Sequence, residues 1–250
     1  MSQRKETGIF LENYDKGLEW LVENYLTHYD GEAVTGGATT GHMQHPLSAR
    51  RMGETVPEAR LIFILRDPVE RIHSHYRFHR QSGRLGPDDD FSTLIRNENS
   101  EWRRIQIDNG RYHTHLTRFE SHFDHSQVKV LLLDDLKSDA ASVFRELYEF
   151  SGVDPSFAPD LSQAHNKGGM PRHEGLYRAL QACWQPVRER IGMDVLDATQ
   201  AFRDRAREWL TEASGRSEMS PADRAYLKEL YHDPNRRLEK WLAADLSHWT

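Results

Sequence analysis

Leu61-Ile-Phe-Ile-Leu-Arg-Asp-Pro-Val-Glu-Arg-Ile-His-Ser-His-Tyr76 carries the strongest structural signal in the chain. The run from Arg60 to Leu65 has strand length and is apolar without alternation, as a parallel strand covered on both faces should be. Asp67-Pro68 then reads as a helix start, a cap residue followed by proline at the first helical position. The helix is expected to run to Gln81, where Ser82-Gly83 ends it. Arg66 stands at the junction. There the free N–H groups and positive end of a helix converge with a guanidinium that can grip a phosphate through two parallel hydrogen bonds. Ser74, two turns further, offers a hydroxyl donor on the same helix, and Tyr76 and Arg77 are further candidates.

Working outward, Val128 to Leu133 is a second strand of the parallel type, followed by Asp134-Asp135 and a helix from about Ser138 to Ser151 closed by Gly152. Helical spacing marks Tyr14 to Tyr29, Pro46 to Thr55 and Tyr112 to Phe123. A short helix carries Phe91, Leu94 and Ile95. Glu32 to Thr35 reads as a short buried strand, and Gly36 to Gly41 as a loop. From Glu174 the pattern is helical: Glu174 to Arg190, Val195 to Ala213, Pro221 to Tyr231 and Asn235 to Ala244. This order predicts one α/β domain over residues 1–250, a parallel sheet flanked by helices with a helical C-terminal portion.

Bulk properties exclude several classes. A net charge of −6 and a pI of about 6.2 argue against non-specific nucleic-acid binding, which needs a basic face. No stretch reaches the ~18 apolar residues of a membrane span. Met-Ser-Gln-Arg-Lys-Glu lacks a signal peptide's apolar core, so a cytoplasmic location is expected. Cys183 is the only cysteine, which rules out an intrachain disulfide and a cysteine zinc site, and it lies in an apolar-periodic helical stretch. The close pairs His42/His45, His73/His75 and His113/His115 lack ligand spacing, so no metal is expected.

Leu-Arg-Asp-Pro-x-Glu-Arg-x-x-Ser-x-Tyr resembles the 3′-phosphate motif of the sulfotransferases, especially the branch with the heparan sulfate and bacterial enzymes. The resemblance implies a P-loop NTPase-like fold and 3′-phosphoadenylyl sulfate (PAPS) as co-substrate, with Arg66 and Ser74 on its 3′-phosphate. Lys5-Glu6-Thr-Gly-Ile-Phe10 and Tyr14-Asp-Lys-Gly-Leu-Glu-Trp20 resemble the family's Lys-Glu-x-x-Phe-Phe stretch and the helix after it. The resemblance implies Glu6 as catalytic base, though Thr7-Gly8 departs from the usual aromatic or histidine. Gly31 to Thr35 is similar to the Gly-Glu-x-(Ser/Thr)-Pro strand of the acceptor cleft, with a glycine-rich loop in place of the proline. Ala33 stands where some members carry a catalytic lysine. Asn109-Gly-Arg-Tyr112 resembles a Gly-x-Tyr near the nucleotide, which implies stacking or hydrogen bonding by Tyr112. Asn166-Lys167-Gly168-Gly169 resembles the late loop that wraps the phosphates, a role suited to glycine backbone. Asp233 to Trp241 and Asp245 to Trp249 look like the family's closing helix and tail.

The same resemblance implies an earlier strand and a Lys-x-Gly-Thr-(Thr/Ser) loop for the 5′-phosphosulfate, about twenty residues before the Lys-Glu stretch. Only four residues precede Lys5, so the sheet is expected to be one strand short. Thr35 to Gly41 contains no lysine to replace the loop. A start lying further upstream is the preferred explanation, ahead of a degenerate member and of a loop supplied by a partner chain. The resemblance thus implies sulfuryl transfer to a hydroxyl- or amine-bearing acceptor. The alternative is a non-catalytic member that binds nucleotide or a partner protein. A nucleoside-phosphate kinase would need a lysine-bearing loop and magnesium ligands, and the sequence shows neither.

Overall fold

The structure, a computed structural model, describes residues 6–86, 88–159, 170–171, 211–212 and 218–250. The chain divides into two compact units. The first comprises Met1–Pro68, Asp108–Leu161 and Lys228–Thr250; the second comprises Val69–Ile107 and Ser162–Leu227.

The first unit is built on two parallel strands, β1 (Leu61–Leu65) and β2 (Val128–Leu132), paired in register from Leu61 opposite Val128 to Leu65 opposite Leu132. Successive side chains alternate between faces. Leu61, Phe63 and Leu65, with Val128, Val130 and Leu132, turn to one face. They pack on a core of Ile9, Phe10, Met52, Leu116, Phe119 and Trp249, among others. Its helices are α1 (Gly17–Tyr25), α2 (Ser48–Thr55), α6 (Tyr112–Glu120), α7 (Leu133–Ser138) and α8 (Ala140–Ser151). On the opposite face Leu131 is buried and Lys129 pairs with Glu146 of α8. Ile62 and Ile64 on that face remain 41% and 54% exposed. The expectation of a strand covered on both sides is therefore corrected. Burial was read from an unbroken apolar run, but α8 reaches over β2 and leaves half of β1 open. Among the described residues no further strand joins the sheet.

The helix after β1, α3 (Pro68–Gln81), has the expected bounds. In the second unit its residues pack with α4 (Phe91–Arg96) and α5 (Glu101–Asp108). Tyr76 lies 5.0 Å from the Phe91 ring, and its hydroxyl donates to the Asp89 carbonyl over 2.9 Å. Asp90 caps α4 by accepting the Thr93 N–H at 2.9 Å. Met170–Pro171 and Thr211–Glu212 pair as an antiparallel ribbon.

Four other expectations change. Glu32 to Thr35 is not a strand but exposed irregular backbone, because Ala33 and Val34 alone bury too little beside Gly31, Gly36 and Gly37. The helix expected from Tyr14 to Tyr29 is a 3-10 turn, Tyr14–Lys16, then α1, which stops at Tyr25. Leu133, expected to end the second strand, instead opens α7, with Asp134 and Asp135 in its first turn, where acidic residues are favoured. The two closing helices are one, α9 (Pro221–Leu242), with Pro234 inside. Such a proline costs about 3 kcal/mol. Burial of Tyr231, Asn235 and Leu238 around it offsets that, and Asn235 Nδ2 donates to the Trp249 carbonyl at 3.3 Å. The stretches Glu174 to Arg190 and Val195 to Ala213 lie outside the described residues except for 211–212.

Candidate active site

Arg66 leaves the end of β1, and only Asp67 separates it from the first residue of α3. Its backbone is held from α6. The Tyr112 hydroxyl donates to the Arg66 carbonyl over 2.8 Å, and Tyr112 is 3% exposed. Tyr112 is the first residue of α6, and its ring meets the fully buried Trp249 edge-on at 6.3 Å. The turn before α6 is tight. A Cβ on Gly110 would sit 2.6 Å from the Tyr231 hydroxyl oxygen, so glycine is what lets α9 approach this backbone. The structure thus joins two predicted residues, Arg66 and Tyr112, through a backbone contact. Tyr112 is buried beneath the strand end, with its hydroxyl engaged there. The Arg66 side chain is half-buried.

Glu6 occupies the opening segment of the first unit, which is clamped from two sides. From α2, Arg51 Nη1 donates to the carbonyls of Phe10 at 3.1 Å and Leu11 at 2.6 Å. From the glycine-rich loop, the Ala38 carbonyl accepts the Glu6 N–H at 2.7 Å. The Thr40 N–H lies 3.3 and 3.2 Å from the two Glu6 carboxylate oxygens. Thr7 is buried, and its hydroxyl lies 3.5 Å from that of Thr39. Glu6 itself adopts φ +60°, a left-handed conformation that non-glycine residues rarely take, and Gly8 does the same at +60°. The Glu6 side chain remains exposed. Thr39 and Thr40 were absent from the predicted site. The signal was the adjacent Thr-Thr in a glycine loop, legible as a loop but not as the neighbour of Glu6.

His42 follows this loop. Burial pushes its imidazole down to about 4, against a smaller upward pull from Glu12, and His45 adds to the lowering. Its ring lies edge-on to Phe10 at 5.6 Å, so a neutral histidine lies two residues beyond Thr40.

Ser74 is half-buried on α3, among residues of the second unit. Lys167, Gly168 and Gly169 lie outside the described residues. Among the described residues, no cluster of three or more His, Cys, Asp or Glu suited to a metal occurs, and no helix is long and apolar enough to cross a membrane.

Comparison with known proteins agrees with this architecture. Residues 10–168, more than half of the chain, match the sulfotransferase domain family. The bifunctional heparan sulfate N-deacetylase/N-sulfotransferase 1 of Caenorhabditis briggsae is 26% identical over 148 residues, covering 54% of this chain and 17% of that protein. The heparan sulfate glucosamine 3-O-sulfotransferase 3A1 of Mus musculus is 29% identical over 155 residues, covering 59% of this chain and 38% of that protein. The chain therefore spans well under half the length of either relative. A sulfotransferase crystal structure from Alicyclobacillus acidocaldarius superposes with a TM-score of 0.65 at 20% identity, covering 99% of this chain and 87% of that one, a likeness of fold. With the motif at Arg66, the parallel strands and the family match in agreement, the chain belongs to the sulfotransferase domain family.

Proposed function

We propose that the protein transfers a sulfuryl group from PAPS to a hydroxyl or amine on a carbohydrate, lipid or small metabolite. The observation that carries this reading is the placement of Arg66 at a parallel strand's end, with only Asp67 between it and a helix and its carbonyl pinned by a buried tyrosine. A guanidinium carried on backbone held there suits the 3′-phosphate of the donor. Following the motif, Arg66 and Ser74 bind that phosphate, and Lys167, Gly168 and Gly169 close over the nucleotide. Glu6 takes the acceptor's proton as the acceptor oxygen or nitrogen bonds to sulfur. The sulfur–oxygen bond to the donor phosphate breaks, and adenosine 3′,5′-bisphosphate leaves. The named relatives carry out sulfation of heparan sulfate, which supports a sugar hydroxyl or amine as the first acceptor class to try.

The test has two parts. Calorimetric titration with adenosine 3′,5′-bisphosphate is expected to show binding that an Arg66→Ala, Ser74→Ala double variant loses; unaltered binding overturns the assignment. Label transfer from ³⁵S-PAPS to desulfated heparan oligosaccharides and to simple alcohols and amines tests catalysis. Bisphosphate binding with no transfer to any acceptor favours the non-catalytic reading.

A further inference from the structure

We infer that the Thr39–Thr40 end of the glycine-rich loop is the device that positions the Glu6 carboxylate. The inference rests on the proposed role of Glu6 as base and adds what holds that base. Three contacts converge on one residue pair. The Glu6 N–H is tied to Ala38, the Glu6 carboxylate straddles the Thr40 N–H, and the next residue, Thr7, is buried with its hydroxyl against Thr39. Glu6 is held in a left-handed backbone conformation, a state that persists only where surrounding contacts over-determine it.

The geometry also says what the loop does not do. A glycine- and threonine-rich loop offers backbone N–H groups to anions. The Thr40 N–H is already committed to an anion of the chain itself. The near-equal distances to both oxygens place the N–H in the mouth of the carboxylate. The outer lone pair of each oxygen is left to accept a proton.

Thr40→Pro deletes the donor, and Thr40→Ala keeps it. Thr7→Val with Thr39→Val removes the hydroxyl contact without touching any backbone group, and serves if the proline variant does not fold. Displacing a catalytic group by ~1 Å commonly costs ~10² in rate. The expected result is a 10- to 100-fold lower kcat in Thr40→Pro, with KM for PAPS and the affinity for adenosine 3′,5′-bisphosphate unchanged. Thr40→Ala restores the rate, and the double valine variant shows a smaller kcat loss of the same kind. Rates are measured with ³⁵S-PAPS and the acceptor that the wild-type protein uses best.

Glu6→Gln separates the base role of Glu6 from the positioning role of the loop. Loss of transfer in Glu6→Gln with full kcat in both loop variants overturns the positioning role and leaves the base assignment standing. Full kcat in Glu6→Gln overturns the base assignment, and the positioning role falls with it. Absence of transfer by the wild-type chain to every acceptor overturns both. A parallel rise in KM and fall in bisphosphate affinity in the loop variants also overturns the inference, because it marks a general loosening of the site.

Discussion

The Tyr112 hydroxyl, 2.8 Å from the Arg66 carbonyl, ties the end of β1 to a helix of the core. Tyr112→Phe keeps the ring against Trp249 and removes that donor. Loss of that hydrogen bond costs about 1 kcal/mol. The expected outcome is stability lower by that amount and adenosine 3′,5′-bisphosphate binding weakened about fivefold, read by denaturant titration and calorimetry. Arg66→Ala, by contrast, should abolish detectable binding. The neighbouring Gly110 makes a steric prediction. In Gly110→Ala the new methyl meets the Tyr231 hydroxyl at 2.6 Å, closer than real Cβ contacts come. Overpacking of this kind costs roughly 1–3 kcal/mol, and a fall in Tm is the readout. An unchanged Tm would mean that α9 can give way at Tyr231.

At the scale of elements, the start of α9 shows how a buried carboxylate organises a helix end. Asp223 accepts from the Ser92 hydroxyl at 2.8 Å, from the Ser220 hydroxyl at 2.8 Å and from Arg96, while its own N–H donates to Ser220 Oγ at 3.1 Å. Burial pushes its carboxyl pKa upward, but the Arg96, Ser220 and Ser92 donors outweigh that and hold it below the ordinary 3.8. Asp223→Ala is expected to cost about 2–3 kcal/mol at pH 7, as for hydrogen bonds to a charged group. A carboxylate with a depressed folded pKa contributes fully above 3.8, and the contribution fades as pH falls below it. The gap between wild type and variant should therefore narrow below that pH in urea titrations.

The β1–α3 unit was legible because each signal is local: an apolar run, a cap residue, a proline and a Ser-Gly stop. Continuation of α9 through Pro234 was not, because the residues that outweigh the proline are buried by partners distant in sequence, Trp249 among them. The same holds at the site. Arg66 could be picked from its place in a motif. The Tyr112 contact spans 46 residues and the Glu6–Thr40 contact spans 34, and no spacing rule reports such pairs. The outer face of β1, Ile62 and Ile64, stays open for a related reason. An apolar run states that a strand can be covered, while the placement of α8 over β2 decides how much of it is.

For the molecule as a whole, acid sensitivity should begin well above the carboxylate range. Burial lowers His42 in the first unit to about 4, with Glu12 opposing and His45 assisting. Burial lowers His75 in the second unit to about 4, helped by Arg71, His79 and Arg84 and opposed by a hydrogen bond to Gln106. His79 is lowered in the same direction, first by burial and then by Arg84, and its Nδ1 accepts the Trp102 indole N–H at 2.9 Å. In the unfolded chain these rings take up protons near 6.5, whereas in the folded protein they do so only at lower pH. Between those values the unfolded state binds more protons, so stability is full above 6.5 and falls as pH drops toward 4. Each ring can contribute a slope of at most about 1.4 kcal/mol per pH unit, and less where solvent screens a partly exposed ring. Urea midpoints taken from pH 7.5 down to 5 isolate this window, since carboxylates titrate below it. Wild-type stability should decline across the series, and His42→Gln and His75→Gln should each flatten the decline. A wild-type stability that is level from pH 7.5 to 5, or variants with the wild-type slope, would show that these rings take up protons in the folded protein as readily as in the unfolded chain.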